Sequence, residues 1–372
     1  MKQILLPLMK LKQIIEILES KAPLSLQESY DNAGLITGNE EMNITGALIC
    51  LDSTEEVIAE AIRQKCNLVI AHHPIVFSGL KKINGKNYVE RTIIKAIKND
   101  VAIYAIHTNL DNVSSGVNAK ICEKLGLVNT QILSASNNLR KLVTYVPASH
   151  LETVRNSVFA AGGGAIGNYD ECSFAVPGEG TFRANSGANP YAGTIGERHT
   201  ADEKRLEFII ELHNEKSILS AMKSAHPYEE VAFEVYPLAN QNQFIGSGMY
   251  GELKELMDFS NFMRHLKSTM LTNCIRYTKQ VSAQVKKVAV CGGAGSFLLP
   301  RAMAVNADIF ITSDFKYHQF FDADNKIVIA DIGHYESEQF TGELIAAQLK
   351  EKFPTFAVRL SETNTNPVNY YL

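Results

Sequence analysis

Residues 68–77 read LVIAHHPIVF, an apolar run that ends in two adjacent histidines. A short apolar run of this kind is typical of a buried strand, and it places His72 and His73 where that strand ends. In an open α/β sheet, ligands bind in the crevice beyond the carboxyl ends of the strands. The stretch therefore predicts a buried strand with a binding site at its carboxyl end.

Three other stretches repeat this design, with an apolar run followed by polar side chains. Residues 101–111 (VAIYAIHTNLD) supply His107 and Asp111, residues 309–318 (IFITSDFKYH) supply Asp314 and His318, and residues 327–338 (IVIADIGHYESE) supply Asp331, His334 and Glu338. Because the carboxyl ends of parallel strands meet at one edge, we expect these side chains to share a polar pocket.

Strand and helix patterns alternate in both outer parts of the chain, which predicts an α/β fold with a mixed or parallel sheet. The first part has predicted strands at 47–51, 68–71 and 101–106, and predicted helices at 55–65, 89–99 and 117–125. The last part has predicted strands in KKVAVCGG, ADIFITSD and KIVIAD, and predicted helices at 259–270 and 339–350. The candidate ligands lie in both parts, so residues 1–138 and 241–372 are expected to form one discontinuous domain.

The middle of the chain follows a different order. Residues 139–240 read as strand, helix, two strands, helix and strand, and this βαββαβ order is the ferredoxin-like pattern. We therefore predict an inserted α+β domain over residues 139–240.

The composition excludes several classes of protein. The chain has 372 residues, of which 45% are hydrophobic and 20% are charged, and its formal net charge is -4. These values are ordinary for a globular protein and give no reason to expect nucleic acid or an anionic membrane as a partner. The six cysteines form no C-x-x-C pair and fit a reducing cytoplasm.

Lysines interrupt the apolar N-terminus, so an amphipathic helix with Leu11, Ile14, Ile15 and Leu18 on one face is expected there instead of a signal peptide.

The candidate ligands have the spacing of a dinuclear metal centre. His334 and Glu338 are four residues apart and share one face of a helix that begins near Gly333. His72 and His73 diverge, so each can serve a different ion, and Asp111 adds a carboxylate. Imidazole-rich sites suit zinc, iron, nickel or copper better than magnesium or calcium.

The charge balance of such a centre points to a reaction. Two divalent ions carry four positive charges, of which Asp111 and Glu338 neutralise two, so the pocket would attract hydroxide or phosphate. Metal ions can lower the pKa of a bound water to about 7, which makes hydroxide available as a nucleophile. His107 is open to three interpretations: a ligand, a proton shuttle or a packed neighbour. Asp314, His318 and Asp331 are expected to orient ligands through hydrogen bonds.

Two shorter motifs are weaker. Residues 291–297 (CGGAGSF) follow a predicted strand, so their N–H groups could approach a phosphate, but the stretch lacks the G-K-[ST] ending of a P-loop and a tight turn is the alternative. Residues 31–35 (DNAGL) read as an Asn/Gly turn.

DNAGL, AHHP, HTNLD, VAVCGGAG, ITSDFKYH and DIGHYESE together resemble the Nif-three-like family, whose members are named GTP cyclohydrolase I type 2 homologues. AHPYEEVAFEVYPL and GANPYAGTIG resemble the PII and CutA-like insert of its longer members. The resemblance covers essentially the whole chain. It implies a dinuclear zinc or iron site formed by His72, His73, Asp111, His334 and Glu338, with His107 close by, in a cytoplasmic homohexamer.

Our first hypothesis is a metal-dependent hydrolase of a nucleotide or another phosphorylated small molecule, in which His107 moves protons. The alternative is a non-catalytic metal-handling chaperone or regulatory scaffold, suggested by the PII-like insert. Nucleic-acid binding has little support, since extended basic-aromatic stripes are absent from the sequence.

Overall fold

The computed structural model describes residues 9–371, and the chain divides into two compact units. The core unit comprises the residues up to Ala135 together with those from Phe244 onward, and the inserted unit is Ser136–Gln243.

The helices are α1 Leu11–Lys21, α2 Glu55–Arg63, α3 Tyr88–Lys98, α4 Thr108–Asp111, α5 Val117–Leu125, α6 Leu151–Ala160, α7 Glu215–Ala225, α8 Phe259–Thr269, α9 Leu299–Ala304, α10 His334–Glu338 and α11 Thr341–Lys352. Within residues 9–371, no helix has the length and apolar character needed to cross a lipid bilayer.

The strands are β1 Met9–Lys10, β2 Gly34–Thr37, β3 Asn43–Ile44, β4 Ala47–Asp52, β5 Leu68–His73, β6 Ala102–Ala105, β7 Val128–Ser136, β8 Leu139–Pro147, β9 Ser173–Arg183, β10 Arg198–Glu211, β11 Phe233–Pro237, β12 Asn242–Asp258, β13 Arg276–Tyr277, β14 Gln284–Ala294, β15 Ile309–Ser313, β16 Val328–Asp331 and β17 Val358–Leu360. The mixture of helices with parallel and antiparallel strands confirms the predicted α/β class.

The core unit contains two larger sheets. The first has the order β17-β4-β5-β6-β2, in which β17, β4, β5 and β6 run parallel and β2 pairs antiparallel with β6. The second has the order β13-β16-β15-β14-β12-β7, in which β14, β15 and β16 run parallel. Strands β5 and β6 thus belong to one sheet, and β15 and β16 belong to the other. The structure differs here from the expectation of a single sheet edge.

Burial explains why local patterns located most of these elements. The inner strands β5, β6, β15 and β16 are almost wholly buried, so their sequences are continuous apolar runs. In contrast, β2 lies at a sheet edge, where its sequence GLIT overlaps the predicted DNAGL turn. An edge strand of four residues has too few alternating positions to be recognised from the sequence.

Helix α1 has the expected apolar face. Leu11, Ile14, Ile15 and Leu18 are buried in the main hydrophobic cluster of the core unit. Burying a leucine or isoleucine side chain contributes about 1.5–3 kcal/mol, so this face is sufficient to hold the helix against the core. Residues 1–8, which the apolar N-terminal pattern also includes, lie outside the described residues.

The inserted unit has the predicted βαββαβ order, built from β8, α6, β9, β10, α7 and β11. Its sheet has the order β11-β8-β10-β9, and every neighbouring pair is antiparallel. Its own core includes Leu142, Val146, Phe208 and Met222. The ferredoxin-like topology is therefore confirmed, whereas the closer resemblance to PII and CutA stays a prediction.

Candidate metal centre

The paired histidines at the end of β5 are turned toward different neighbours. The Nδ1 atom of His72 lies 2.8 Å from the carbonyl oxygen of Ile106, just beyond β6. The Nδ1 atom of His73 lies 2.8 Å from Oδ1 of Asp52, the last residue of β4. Because β4 and β6 flank β5 on opposite sides, two adjacent residues point their Nε2 atoms into one site from different directions.

The loop after β6 brings in a histidine and an aspartate one helical turn apart. Helix α4 begins after His107 and ends at Asp111. Asp31 orients the start of this turn, because its Oδ1 lies 2.7 Å from Nδ1 of His107 and its Oδ2 accepts a hydrogen bond of 3.1 Å from the backbone N–H of Thr108.

Helix α10 supplies the remaining candidate ligands from the second sheet. His334 and Glu338 lie at its two ends, as the i, i+4 spacing predicts. The Nδ1 atom of His334 lies 2.6 Å from Oδ2 of Asp314, which follows β15. Gly333 precedes the helix with φ +95°, and a Cβ there would lie 2.2 Å from Oε2 of Glu336. Only glycine therefore fits the turn that aims α10 at the site.

All four imidazoles are oriented in the same manner. Each has its Nδ1 atom beside a carbonyl or carboxylate oxygen, at 2.6 to 2.8 Å, which leaves Nε2 available. Histidines that bind metal ions typically have their second nitrogen held by such a partner. The arrangement is that of a prepared set of nitrogen donors.

The structure brings all six predicted site residues together. Their donor atoms form three overlapping groups, and within each group the atoms lie within 4.8 Å of one another: His72, His73 and His107; His73, His334 and Glu338; His72, Asp111 and Glu338. Glu338 belongs to two of these groups and His72 and His73 to two each. The cluster could therefore hold a metal ion in more than one position.

The most telling contact involves atoms that have no hydrogen-bond partner. Nε2 of His72 and Oδ1 of Asp111 are both buried, and neither finds a partner among residues 9–371. Nε2 of His72 lies 3.6 Å from Oδ1 of Asp111 and 3.7 Å from Oε1 of Glu338. With the His72 proton on Nδ1, facing the Ile106 carbonyl, three acceptors face one another. A cation between them removes the cost of burying unpaired polar atoms, so the residues fit a metal ion.

The pKa shifts in the metal-free cluster also indicate a site for a cation. Burial and the neighbouring Glu338 raise the pKa of Asp111 to about 8. Burial also opposes ionisation of Glu338, but the surrounding imidazoles outweigh it and hold its pKa well below the usual range. Burial lowers the pKa of His73, yet its hydrogen bonds to Asp52 and Glu338 raise it to about 9. Protons thus occupy positions in this cluster that a divalent cation would take.

Comparison with known proteins gives the chain its relatives. A sequence model of Duf34/NIF3 (NGG1p interacting factor 3) matches residues 9–367. The chain belongs to the Duf34/NIF3 family. It is 37% identical to a "GTP cyclohydrolase 1 type 2 homolog" of Bacillus subtilis, covering 96% of this chain and 98% of that one, and 33% identical to a protein of the same name from Staphylococcus epidermidis, covering 97% and 100%.

Solved structures agree with this placement. The crystal structure of a Bacillus cereus protein related to NIF3 superposes with a TM-score of 0.82 at 36% identity, covering 98% of this chain and 100% of that one. A Staphylococcus aureus protein superposes with a TM-score of 0.78 at 28% identity, with the same coverage.

The glycine-rich stretch 291–297 of this NIF3-family chain makes room for Glu338. Gly293 has φ +60°, and a Cβ there would lie 2.5 Å from Oε1 of Glu338. The N–H groups of Gly292, Gly293 and Gly295 donate to the side chains of Asn118, Ser337 and Thr312. These three N–H groups are therefore not free to bind a phosphate, and at Gly293 the stretch forms a close-packed turn against Glu338.

Two partners of the cluster were missed from the sequence. Asp52 ends the apolar run ALICLD, so the rule that located the other strand ends applied to it as well. Asp31 lies in DNAGL, a stretch that carries part of the family resemblance but by itself predicts only a turn. Its role depends on a contact with His107, 76 residues away, that no local pattern reveals.

Three residues were expected to orient ligands, and the structure separates them. Asp314 does so through His334. Asp331 instead accepts hydrogen bonds from Arg276 and from the backbone N–H groups of Phe315 and Gly333, and so holds the loop that precedes α10. The expectation for His318 was wrong. Its ring packs against Tyr317 and Phe321, because the 3-10 turn after Lys316 carries it away from the strand end.

Two cavities adjoin the cluster within the core unit. The larger has a volume of about 640 Å³ and is lined by His107, Asp111 and Glu338 among others. The smaller has a volume of about 460 Å³ and is lined by Asp52 and Asp314 among others. His73 and His334 line both, so the cluster can be reached from two sides.

Proposed function

We propose that this chain is a metal-dependent hydrolase of a nucleotide or another phosphorylated small molecule, with two divalent ions, zinc or iron, held by His72, His73, Asp111, His334 and Glu338. The supporting observation is the pair of buried, unpartnered atoms on His72 and Asp111. Nε2 of His72 lies 3.6 Å from Oδ1 of Asp111 and 3.7 Å from Oε1 of Glu338. Nitrogen and carboxylate donors in this mixture suit zinc and iron.

The overlapping groups suggest how two ions are shared. His72 and Asp111 would hold one ion, His73 and His334 would hold the other, and the Glu338 carboxylate would contact both. The opposed orientation of His72 toward Ile106 and of His73 toward Asp52 supports this division, since it aims two adjacent imidazoles at different points.

Divalent ions would supply Lewis acidity and make water acidic enough to lose a proton near neutral pH. Within the chain, His107 would transfer protons to and from the substrate. Burial opposes the charge of Asp31, but hydrogen bonds with His107 and Thr108 lower its pKa to about 2, so it stays ionised. The ionised Asp31 lies beside Nδ1 of His107 and leaves Nε2 to exchange protons with the substrate.

The substrate class rests on charge and size. Asp111 and Glu338 leave two divalent ions with excess positive charge, which favours an anionic ligand such as a phosphate. A cavity of about 640 Å³ is within the range of roughly 300–1,000 Å³ that holds small-molecule ligands. The relatives named GTP cyclohydrolase 1 type 2 homolog make GTP the first nucleotide to assay.

The test is turnover by protein reloaded separately with zinc, manganese or iron. A panel of GTP, other nucleotides and simple phosphoesters would be followed by release of phosphate or formate. We expect metal-dependent turnover that His72→Ala and Glu338→Ala abolish, while Glu343→Ala on α11 retains it. Tight, exchangeable metal without turnover on any member of the panel would contradict the hydrolase and favour a metal-handling chaperone or scaffold.

On the family resemblance we also propose a homohexamer. Sedimentation equilibrium of the full chain tests this, with a mass six times 41.1 kDa expected. A monomer or dimer at micromolar concentration would contradict it.

A further inference from the structure

Three large aromatic side chains lie exposed on the wall of the 640 Å³ cavity. Tyr30, Phe77 and Phe297 are 63%, 51% and 65% exposed. A packed aromatic side chain buries roughly 150–250 Å² of surface, so each of these leaves apolar area in water that the fold does not use. Apolar surface gathered in one concave site is typical of a ligand-binding wall.

Two of these rings adjoin the metal cluster. The ring centroids of Tyr30 and Phe77 are 6.3 Å apart, and the centroid of Phe77 is 6.4 Å from that of His107. A planar group resting on Phe77 would therefore place its substituents close to His107.

The residues that orient the cluster also position these aromatic rings. Tyr30 precedes Asp31, which is held by His107, and Phe77 follows His73 by four residues. The side-chain amide of Asn32 donates a hydrogen bond of 2.6 Å to the carbonyl oxygen of Val76, which ties the two segments together. Phe297 ends the glycine-rich stretch whose Gly293 packs against Glu338. The rings are thus built into the site and are not isolated surface residues.

We propose that Tyr30, Phe77 and Phe297 recognise a planar, unsaturated ring in the substrate, so that the chain selects ring-bearing anions such as nucleotides over ring-free phosphates. The hydrolysis of such a substrate rests on the proposed function, whereas the binding of its ring does not. Ring stacking tolerates different bases, because every base has a π-face. The aromatic wall therefore selects for a ring, while the cationic cluster selects for the anionic part.

The test is binding to the metal-loaded full chain, measured by equilibrium dialysis with GTP, UTP and tripolyphosphate. In Phe77→Ala and Tyr30→Ala we expect roughly 5- to 100-fold weaker binding of GTP and UTP, the range typical of a lost base–aromatic stack. Binding of tripolyphosphate and the metal content should not change. Phe77→Tyr keeps an aromatic ring and should bind nucleotides nearly as the wild type does. Phe321 is an exposed aromatic residue outside the cavity, so Phe321→Ala should bind both nucleotides like the wild type.

A second readout follows from the composition. The chain contains no tryptophan, so Phe77→Trp introduces one fluorophore at the aromatic wall. GTP and UTP should quench its emission, whereas tripolyphosphate should not.

Nucleotides that bind no more tightly than tripolyphosphate, or that bind equally well to Phe77→Ala and Tyr30→Ala, would overturn ring recognition. The two proposals can fail separately. Nucleotide binding that needs these rings, without turnover, would refute the hydrolase alone. Hydrolysis of ring-free and ring-bearing phosphoesters with the same kcat/KM in wild type and Phe77→Ala would refute ring recognition alone.

Discussion

The two halves of the candidate metal centre are built differently. The first half, which we call the strand-end half, comprises His72, His73, His107 and Asp111 and follows β5 and β6 of the first sheet. The second, the helix half, comprises His334 and Glu338 on the short helix α10 beyond the second sheet. His72 is fully buried, whereas the His334 side chain is 41% exposed. His72 is thus packed into the interior of the core unit, whereas His334 faces the two cavities.

Glu338→Gln should have the largest effect, because its carboxylate lies in the groups that join both halves. We expect metal affinity to fall by more than roughly 100-fold, beyond the loss typical of removing a partner of a metal ligand. Isothermal titration calorimetry with zinc measures it. Glu343→Gln, a carboxylate on α11 that pairs with Lys124, is the matched control and should bind as the wild type does. Retention of two tightly bound ions by Glu338→Gln would show that the halves do not share this residue.

His72→Ala and His334→Ala should separate stability from metal binding. Each should reduce the bound metal from two ions to one, as measured by elemental analysis. Only His72→Ala should also destabilise the metal-free chain strongly, by about 2–3 kcal/mol, because it opens a buried cavity and leaves the Ile106 carbonyl without its partner. His334→Ala should cost about 1 kcal/mol or less. Equal losses of unfolding free energy in urea for the two metal-free variants would contradict this difference between His72 and His334.

The carboxylates behind the imidazoles sharpen the comparison. Asp314→Asn and Asp52→Asn each remove the negative charge beside the Nδ1 atom of a candidate ligand, so each should lower metal affinity by roughly 10- to 100-fold. Asp314→Asn should cost more, because Asp52 is additionally held by Thr365, whose hydroxyl donates a hydrogen bond of 2.6 Å to Oδ2 and keeps the substituted side chain in place. Competition with a zinc-binding dye measures both. An unchanged affinity in Asp314→Asn would show that His334 needs no orienting partner.

The smallest effect is a pH dependence of the metal-free chain. His73 has its ordinary pKa of 6.5 when unfolded and a pKa of about 9 when folded, so its contribution to stability is complete below pH 6.5 and is lost as the pH rises through 9. The pKa of Asp111, raised to about 8, acts in the same direction. With chelator present, the Tm should therefore fall between pH 6.5 and 9. With zinc it should fall less or rise, because zinc replaces these protons. Parallel Tm curves with and without zinc would contradict proton displacement.

Each half could be predicted from the sequence to the extent that its residues follow a local pattern. The strand-end half was readable because a strand buried on both faces is a continuous apolar run, so that polar residues at its end stand out as candidates for a site. His334 and Glu338 were readable through the i, i+4 spacing. The same strand-end rule wrongly included His318. It failed there because a 3-10 turn begins after Lys316 and redirects the chain.

Other features became visible only in the folded chain. Asp31 and Asp52 each orient a histidine that is distant in sequence. In the sequence, Asp31 belongs to a predicted turn and Asp52 follows a predicted strand, and neither position indicates a contact with a histidine. The aromatic wall joins Tyr30, Phe77 and Phe297 from three separate segments, none of which carries an aromatic motif.

By itself, the sequence determined the α/β class and the βαββαβ order of residues 139–240, and it predicted five candidate metal ligands together with His107, because apolar periodicity and short spacings are local properties of a chain. Only the tertiary structure decided that the candidate ligands come from two sheets, that His72 and His73 turn toward opposite strands, and that Gly293 makes room for Glu338. These depend on register and packing between segments far apart in the chain, which no local pattern encodes.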